Sequence, residues 1–536
     1  MKEELIVKRF ENQVAISPES LAVSCGQLSI SYDQLNRRVN ILANYLIEKG
    51  VKRNSFVGVI LPRSIDFIVA VLAVLKSGGC YIPIDPGYPE ERIRDIIADA
   101  GVFFLLKNNS NAFWLDDDEL CIVNVDSLDQ LIKSPTIGNP SLINDMDDPI
   151  YIIYTSGSTG IPKGAINKHN GFLNLIDWYT QDFNLNKNDK ILIYTPLNFD
   201  LTQKNIFAPL LVGATIFLVN DGLYDPSLIA DEIYKNKITW INSTPSAFYP
   251  LIESDYNLKK LESLRYVFVG GEPLFAKRVL PIHLSNPRLK IVNTYGPTEC
   301  ADVCSFYTLT EKDFKSQHVY VPIGKQIKNM NLYVLDDNMN KVKEGEIGEL
   351  YIEGVGVGLG YINNKEITNQ AFLPNPFDKG NNSSIYKTGD IVRILPDFNL
   401  EFIERKDFQV KIRGYRVELE EIISSLRGIP GVKDALVIAY ENQDQEKFLV
   451  GYAVGKGLKE TDLKKKLQEK LPAYMVPSAI IVMDAFPLTA NGKVDRKKLP
   501  LIKNKDSHSL LKFSLDDRAK KCLIFGKNFY LYLSII

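Results

Sequence analysis

The sequence predicts an α/β protein, in which a large N-terminal domain of α/β layers with a small β region precedes a smaller α+β domain. The first observation is that short β-branched runs alternate with helix-length segments as far as about residue 330. The second is a change, from about Asn331, to strand-like runs joined by polar turns. The third is a compact unit of roughly 90 residues after Arg413, with helical and strand-like segments.

The N-terminal alternation begins with an apolar strand, an apolar helix and a second strand. These are "FVGVILP" at 56–62, "SIDFIVAVLAVLKSGG" at 64–79 and "CYIPIDP" at 80–86. Further strands are predicted in "VFFLLKN", "CIVNV", "DKILIYTP", "ATIFLVN", "KITWINSTP" and "LRYVFVGGEP". Short strands between helices form parallel sheets, and several of these end in Gly or Pro, where loops at the carboxyl edge carry function.

The β region and the last segment set the predicted domain limits. The stretches "NLYVLDDNMNKVKEGEIGELYIEG" and "YKTGDIVRILPDFNLEFIERKDFQVKIRG" predict antiparallel hairpins. The stretches "ELEEIISSLRGIPGV", "DALVIAYENQ", "KFLVGYAV" and "ETDLKKKLQEKLP" predict the α+β unit. We place the boundary in the charged turn "ERKDFQ", which gives a core domain at 1–406, a C-terminal domain at 407–500 and a tail at 501–536.

Composition excludes several classes of function. With a net charge of −2, the chain offers no basic field for a nucleic acid or a membrane surface. Six scattered cysteines and four histidines do not predict a zinc site, and the thiols are interpreted as free and buried in a reducing compartment. The start "MKEELIVKRF" is no secretory signal, and the longest apolar run stops at Lys76, short of the about 20 residues of a membrane span. We therefore expect a cytoplasmic protein that binds neither nucleic acid nor membrane.

The stretch "YTSGSTGIPKGAI" at 154–166 combines glycines, hydroxyl side chains and one lysine. Lys163 lies between Pro162 and Gly164, so the stretch differs from the phosphate loop in which glycine precedes the lysine and a hydroxyl follows it. A glycine-rich loop can still bind phosphate oxygens through backbone N–H groups, and hydroxyls and a lysine add donors. An ordinary exposed turn favours the same residue types.

Six separated stretches, taken in order, resemble one family. They are "LKSGGCYIPIDPGYPEERI", "YTSGSTGIPKGAINKHNG", "NTYGPTEC", "YKTGD", "KIRGYRVELEEI" and "PLTANGKVDRKKLP". Together they resemble the adenylate-forming superfamily, and specifically the amino-acid adenylation domain of a nonribosomal peptide synthetase. The resemblance covers about residues 10–500, and six matches in order are far more specific than any one of them.

The resemblance implies a ligase with a two-step reaction. An amino-acid carboxylate attacks the α-phosphate of ATP, which gives aminoacyl-AMP and pyrophosphate, with magnesium as the metal. The acyl group then passes to the phosphopantetheine thiol of a carrier domain. The tail carries no carrier motif, so the carrier domain is expected in trans or as a part lost from this chain.

The resemblance also implies the nucleotide-binding residues. The β- and γ-phosphates of ATP would be bound by the loop residues Thr155, Ser156, Gly157, Ser158, Thr159, Gly160 and Lys163. Gly270, Gly271 and Glu272 would lie along the adenine, Tyr295 would stack on it, and Asn293 and Gly296 belong to the same nucleotide-binding set. Asp390 and Arg405 would hold the ribose, Thr298 the α-phosphate and Glu299 the magnesium ion. An aromatic face suits a purine, and a carboxylate is the hard oxygen ligand that magnesium requires.

The small domain is expected to be mobile and to carry the catalytic Lys493, which would bridge the substrate carboxylate and the α-phosphate. It would turn about the hinge residue Asp407, and "KIRGYRVELEEI" would face the active site in the second step. Glu404 stands where the family usually has glycine, and it would either restrict the hinge backbone or pair with Arg405. Glu353 and Leu359 also depart from the usual glycine and arginine.

The family's amino-acid pocket, carried over position by position, comprises Asp200, Leu201, Lys204, Asn242, Phe268, Gly270, Thr294, Asp302, Val303 and Lys493. Asp200 would bind the α-ammonium group and Lys493 the carboxylate. Because unpaired buried charges are costly, Lys204 and Asp302 predict a polar substrate side chain, acidic or amide ahead of hydroxylated or basic. In the alternative, Lys204 and Asp302 pair along the wall, and Phe268 and Leu201 select an apolar side chain.

Two other functions remain open at this point. An acyl- or aryl-CoA ligase of the same superfamily would share the nucleotide motifs, but its substrate has no ammonium group for Asp200 to bind. An inactive, truncated synthetase fragment is the other alternative, because the chain continues after Leu499 without a carrier motif and ends in the apolar "FYLYLSII".

Overall fold

The structure is a computed structural model that describes residues 4–110, 115, 118–127, 136–157, 162–220, 222, 224–315, 320–378, 383–407, 409–442, 447–489 and 494–500. Its helices are α1 Ile6–Ile16, α2 Tyr32–Glu48, α3 Ile65–Lys76, α4 Glu90–Ala100, α5 His169–Gln181, α6 Asp200–Val212, α7 Pro226–Asn236, α8 Pro245–Ile252, α9 Asp255–Leu258, α10 Ala276–Ser285, α11 Lys365–Ala371, α12 Leu419–Arg427 and α13 Glu460–Gln468.

The strands are, in chain order, β1 Leu21–Cys25, β2 Leu28–Ser31, β3 Phe56–Ile60, β4 Cys80–Pro83, β5 Phe104–Lys107, β6 Cys121–Asn124, β7 Pro149–Thr155, β8 Lys163–Lys168, β9 Lys190–Ile193, β10 Thr215–Leu218, β11 Trp240–Ser243, β12 Tyr266–Gly270, β13 Lys290–Tyr295, β14 Ser305–Thr308, β15 Lys325–Gln326, β16 Met330–Leu335, β17 Ile347–Gly354, β18 Gly360–Tyr361, β19 Phe372–Pro374, β20 Ser384–Ile394, β21 Leu400–Arg405, β22 Gln409–Ile412, β23 Tyr415–Glu418, β24 Asp434–Glu441, β25 Lys447–Val454 and β26 Ala479–Met483.

The chain forms two compact units. The larger takes in the described residues up to Glu421, apart from residues 222 and 224, together with Glu469–Tyr474. The smaller takes in Ile422–Gln468 and the described residues from Met475 onward, with residues 222 and 224. Residues 409–421 therefore pack with the larger unit, although they follow the boundary placed after residue 406. That boundary remains a prediction about a hinge.

Two sheets of mainly parallel strands form the framework of the larger unit. One has the order β15-β14-β13-β12-β11-β9-β10-β1-β2, and the other β18-β8-β7-β4-β3-β5-β6. Strands β9, β10, β11, β12 and β13 are parallel, so their carboxyl ends meet at one edge. This confirms the predicted α/β layers and places the loops after these strands together.

Helices α3 and α6 are buried along most of their length. The Ser64 side chain accepts the Phe67 N–H at the start of α3, and every residue from Phe67 to Lys76 is buried. Helix α6 is buried from Leu201 to Leu210 and contains polar and apolar residues alike. A helix buried around its whole circumference lies inside the fold, and the polar residues of α6 must therefore find partners there.

The predicted β region is an antiparallel sheet in the larger unit. Strands β16, β17, β20 and β19 are neighbours in that order, and β21 pairs with β20. In the smaller unit, β24 and β25 are antiparallel and β25 and β26 are parallel, with Val450, Tyr452 and Leu499 in the core. The predicted β region and the predicted α+β unit are therefore both present. Burial alternates along β20 and β24, as the period of two in their sequences predicted.

Membrane helices, metal-binding clusters and disulfides were searched for in the described part of the chain. No helix there is long and apolar enough to cross a membrane. No group of three or more His, Cys, Asp or Glu side chains in those ranges could hold a metal ion. The described cysteines are free thiols, and Cys80, Cys300 and Cys304 are buried.

Candidate active site

The carboxyl end of β13 meets the β20–β21 hairpin at a cluster of predicted nucleotide residues. The Tyr295 hydroxyl donates to Asp390 Oδ2 at 2.5 Å, and Arg405 Nη1 donates to Asp390 Oδ1 at 2.8 Å. Arg405 Nε also donates to Asp407 Oδ1 at 2.9 Å. Although burial opposes it, Asp407 and Asp390 hold the pKa of Arg405 above its usual range. Arg405 thus pairs with these two carboxylates, and Glu404, its suggested partner, is exposed.

The turn after β13 has an unusual backbone that two neighbours hold in place. Ala301 and Asp302 have φ values of 59° and 77°, in the left-handed region that non-glycine residues rarely adopt. Asn167 Nδ2 donates to the Thr298 carbonyl at 2.9 Å, and its Oδ1 accepts the Ala301 N–H at 3.0 Å. A Cβ atom on Gly296 would lie 2.0 Å from the Asp302 carbonyl oxygen, so this close approach requires glycine.

Glu299, in the same turn, is fully buried and surrounded by donors. Arg416 Nη1 lies 2.8 and 2.9 Å from its two carboxylate oxygens, and the Tyr361 hydroxyl donates to one of them. Burial by itself raises the pKa of Glu299, but the charges of Arg416 and Lys163 and the bond from Tyr361 bring it down to about 2. Glu299 is therefore ionised at neutral pH.

The surroundings of Glu299 do not fit the predicted magnesium ion in this arrangement. A carboxylate has the hard oxygen atoms that magnesium prefers. Both oxygens of Glu299, however, contact the Arg416 guanidinium, which would repel a divalent cation at the same place. Arg416 supplies the positive charge that Glu299 needs.

Of the predicted phosphate loop, Ser158, Thr159 and Gly160 lie outside the described residues. Thr155 Oγ1 is buried and has no hydrogen-bond partner among the described residues. Lys163 Nζ lies 3.8 Å from Glu418 Oε1, and burial together with Arg416 lowers the pKa of Lys163 to about 8, against the opposing charges of Glu299 and Glu418. A buried hydroxyl and a desolvated ammonium group are suitable donors for a phosphate.

The β22–β23 hairpin and the start of α12 bind the other described loop residues. The Ser156 hydroxyl donates to the Arg416 carbonyl at 2.7 Å and accepts the Glu418 N–H at 3.0 Å. The Gly157 N–H donates to Glu421 Oε2 at 3.1 Å. The Glu421 carboxylate thus binds the Gly157 N–H, a donor that was predicted to bind phosphate. The hairpin, which belongs to the stretch "KIRGYRVELEEI", faces the predicted phosphate site within the larger unit.

The end of β12 approaches its neighbours closely. A Cβ atom on Gly270 would lie 2.4 Å from Thr294 Oγ1, and Gly271 has a φ of +87°. The next residue, Glu272, accepts the Ser246 N–H at 2.9 Å and the Gly414 N–H at 2.5 Å. The predicted adenine-contacting segment is therefore a tight turn that also holds the hairpin.

Asp200 is the first residue of α6 and lies beside the β13 turn. The Thr298 hydroxyl donates to Asp200 Oδ2 at 2.5 Å, and the Leu201 N–H donates to its Oδ1 at 2.6 Å. An anionic side chain at a helix N-terminus is favourable because the exposed N–H groups carry partial positive charge. The predicted α-phosphate residue and the predicted ammonium-binding residue are therefore in direct contact.

One turn further along α6, Lys204 forms a buried ion pair with Asp302. The Lys204 side chain is fully buried, the Asp302 side chain is 9% exposed, and the ammonium group also donates to the Leu201 carbonyl at 3.2 Å. Burial raises the pKa of Asp302 to about 6 even though Lys204 opposes that shift. This is the charge pairing that the sequence left as the alternative for these two residues.

The remaining pocket residues lie on strand ends beside this pair. Asn242 is opposite Phe268 and Gly270 is opposite Thr294 in the parallel register, so these side-chain positions share a sheet face. Leu201 and Val303, which directly follow Asp200 and Asp302 in the sequence, are both buried. Asn293, on the strand's other face, donates to the Val321 and Pro322 carbonyls at 3.3 and 2.8 Å, and thereby holds the backbone.

Several residues of the site received no role from the sequence. Asn167 and Arg416 lie in quoted motifs and Tyr361 lies two residues after Leu359, but the contacts of Asn167, Tyr361 and Arg416 join positions 131, 62 and 117 residues apart. Tyr179 lies on α5 outside every motif, and its hydroxyl donates to Asn205 at 2.7 Å. No local spacing could have revealed these contacts. Lys493, the predicted catalytic lysine, lies outside the described residues.

Comparisons with other proteins identify similar chains. The family model "AMP-binding enzyme" matches residues 10–362, and "AMP-binding enzyme C-terminal domain" matches residues 418–493. Bacitracin synthase 3 of Bacillus licheniformis is 40% identical over 494 residues, which are 92% of this chain and 8% of that protein. This chain therefore spans less than a tenth of the length of that relative.

Solved structures share the fold. An artificially fused adenylation–PCP di-domain NRPS from Klebsiella oxytoca has a TM-score of 0.82 and 25% identity, covering 90% of this chain and 94% of that chain. A holo NRPS protein containing adenylation and PCP domains, bound to a vinylsulfonamide inhibitor, has a TM-score of 0.82 and 29% identity over 93% of this chain and 85% of that chain. These likenesses confirm a large N-terminal domain followed by a smaller C-terminal one.

Proposed function

From the premise that this chain belongs to the AMP-binding enzyme family, as an amino-acid adenylation domain of the nonribosomal peptide synthetase type, we propose that it activates an amino acid with ATP and loads it onto a carrier domain. In the first step a carboxylate oxygen attacks the α-phosphorus, the bond to the β-phosphate oxygen breaks, and aminoacyl-AMP and pyrophosphate form. In the second step a phosphopantetheine thiolate attacks the acyl carbon, and AMP leaves.

The contact between Thr298 and Asp200 supports this proposal best. At 2.5 Å it joins the residue expected at the α-phosphate to the residue expected at the α-ammonium group. An amino acid held by Asp200 would therefore present its carboxylate beside the phosphorus that Thr298 contacts. Holding two reactants in one place removes most of the entropic cost of their encounter.

The nucleoside would lie at the Tyr295, Asp390 and Arg405 cluster. Tyr295 offers an aromatic face for adenine, and Asp390 offers carboxylate oxygens for ribose hydroxyls. Arg405 orients Asp390 by a bond of 2.8 Å, so its part is to position that carboxylate. The three residues come from different strands and converge only through the fold.

The phosphates would use Thr155, Ser156, Gly157 and Lys163. Thr155 has a hydroxyl without a partner among the described residues, whereas Ser156 and Gly157 are bound to the hairpin and Lys163 lies beside Glu418. The hairpin must therefore move for all four to bind phosphate. That requirement agrees with the expected motion about Asp407 between the two steps.

ATP is a substrate in this proposal, and the carrier domain is the protein partner. Magnesium is the metal expected with ATP in this family, but we assign it no step, because Arg416 occupies the oxygens of Glu299. The carrier is either a separate protein or another part of a longer chain. In both structural neighbours it accompanies the adenylation domain, by their own descriptions.

An ATP–pyrophosphate exchange assay over all proteinogenic amino acids tests the first step. We expect exchange with a narrow set of amino acids, and its loss in Asp200→Ala but not in Asp255→Ala, a matched change at an exposed helix start. Exchange with none of them in folded protein would favour the inactive fragment. Thioester formation with carboxylates lacking an amino group would favour the CoA ligase. Loading of a phosphopantetheinylated carrier protein tests the second step.

A further inference from the structure

The amino-acid pocket contains two opposite charges that neutralise each other. The Lys204 ammonium group contacts Asp302, and both side chains are at least nine-tenths buried. Lys204 also lies 5.8 Å from the centre of the Tyr179 ring, over its face. Breaking such a pair leaves a buried charge uncompensated, whereas the intact pair has no net charge to attract a charged ligand.

Asn242 is a buried polar residue of this pocket. Its side chain is 2% exposed, and neither its Oδ1 nor its Nδ2 has a hydrogen-bond partner among the described residues. Phe268 is opposite Asn242 in the parallel register, so both side chains lie on one face of the sheet. A buried amide without partners has lost its bonds to water, and a ligand that bonds it would offset that loss.

The nearest polar groups are already engaged elsewhere. The Tyr179 hydroxyl is within reach of the Asn242 side chain, without the geometry of a regular hydrogen bond, and it donates to Asn205 Oδ1 at 2.7 Å and accepts from Trp240 Nε1. Asn205 Nδ2 in turn donates to the Leu201 carbonyl at 2.9 Å. Since Tyr179 is already bonded to Asn205 and Trp240, Asn242 keeps its amide oxygen and at least one of its two Nδ2 N–H groups for a ligand.

We propose that the substrate side chain is a carboxamide, that of asparagine or glutamine, and that it pairs with Asn242. This proposal rests on the proposed function and names the substrate class of that site. A carboxamide has one acceptor and a donor group, so it can bind Asn242 Nδ2 and Oδ1 together. Its neutral charge leaves the Lys204–Asp302 pair intact.

Other side chains fit this arrangement less well. A carboxylate substrate would be repelled by Asp302 and would find Lys204 already paired, whereas an ammonium group would meet the opposite conflict. A hydrocarbon side chain would leave both polar atoms of Asn242 unpaired. The ion pair thus narrows the sequence-based expectation of an acidic or amide side chain to the amide.

Matched amino acids test the proposal in the full chain. We expect pyrophosphate exchange with asparagine or glutamine to exceed that with aspartate, glutamate, leucine and methionine by about 100-fold in kcat/KM. Asn242→Leu should reduce the preference for the amide over its apolar isostere by about tenfold or more. Asn338→Leu, at an exposed position in the turn between β16 and β17, is the control and should leave the ratio of amide to apolar activity unchanged.

The Lys204–Asp302 ion pair allows an independent test of the proposal. Asp302→Asn removes the carboxylate and leaves the Lys204 charge unpaired, so we expect the preference to shift from the amide toward aspartate or glutamate. Thermal stabilisation by aminoacyl-sulfamoyl adenosines bearing amide, acid and apolar side chains gives a readout without turnover. The amide analogue should stabilise the wild-type chain most.

The outcomes separate this proposal from the function on which it rests. Greatest exchange and stabilisation with an acidic, basic or apolar amino acid would overturn the carboxamide proposal and leave adenylation standing. Neither exchange nor stabilisation with any amino acid, in folded protein, would overturn both. A preference for the amide that Asn242→Leu leaves unchanged would also overturn the proposed pairing.

Discussion

The Arg416 guanidinium contacts both carboxylate oxygens of Glu299, at 2.8 and 2.9 Å, although the two residues are 117 positions apart. Glu299 is fully buried and the Arg416 side chain is 16% exposed. This ion pair ties the β22–β23 hairpin to the turn that carries the predicted phosphate and metal residues. The hairpin's position and the charge of the site are therefore set by the same contact.

Removing one partner of this pair should destabilise the larger unit. We expect Arg416→Met to lower the free energy of unfolding by about 3–5 kcal/mol, because Glu299 is left as an unpaired buried charge. The double variant with Glu299→Gln should recover most of that loss. Urea denaturation followed by tryptophan fluorescence, to which Trp178 and Trp240 of the larger unit contribute, measures it.

The control for this cycle is Arg94→Met, whose exposed ion pair with Glu90 should contribute at most about 1 kcal/mol. Additive losses in the Arg416 and Glu299 double variant would show that the two groups do not depend on one another.

Asn167 should act as a positioning residue for the β13 turn. Asn167→Ala removes the bonds to the Thr298 carbonyl and the Ala301 N–H, so we expect kcat for pyrophosphate exchange to fall by about tenfold or more. Asn174→Ala, which removes exposed bonds to the Lys328 carbonyl and from the Asn329 side chain, should leave kcat unchanged. Assays well below the unfolding temperature separate the two effects. A stability loss with an unaltered kcat would assign Asn167 a purely structural part.

His169 should make stability depend on pH. It is buried, both ring nitrogens lack hydrogen-bond partners among the described residues, and burial lowers its pKa to about 4 despite the nearby Asp148. The unfolded chain therefore binds a proton that the folded chain excludes, and stability falls as the pH drops below about 6.5.

The measurement compares wild type with His169→Gln. We expect the wild-type free energy of unfolding to fall by about 2 kcal/mol more than that of the variant between pH 7 and pH 5. Urea titrations at both pH values give this difference. Parallel curves for the two proteins would mean that His169 is protonated in the folded state.

Lys493 should matter for adenylation far more than for thiolation. From its place in "NGKVD", we expect Lys493→Ala to slow adenylate formation by several orders of magnitude, since it removes the cation expected beside the developing phosphate charge. Transfer to a carrier from preformed adenylate should change much less. Lys498→Ala, at an exposed lysine nearby in sequence, is the control. Equal losses in both half-reactions would refute the assigned role.

Local patterns in the sequence were sufficient for much of the fold. The apolar stretch at 64–79 predicted α3, which is buried on all sides, and the alternating runs predicted β20 and β24, because burial of one face imposes a period of two on a strand. The boundary after residue 406 remains a prediction about a hinge. Residues 409–421 join the larger unit through contacts of Arg416 and Glu421 with distant residues.

The layers of the fold, the residue types of the candidate site and the two alternatives for Lys204 and Asp302 could all be predicted from the sequence. These follow from local periodicity and from motif residues at short spacing. The folded chain adds that Lys204 and Asp302 pair, that Asn242 has no regular hydrogen bond among the described residues and that Arg416 neutralises Glu299. Each of these depends on which distant side chains share a buried volume, where charges must be paired and polar groups bonded. Spacing along the chain does not contain that information.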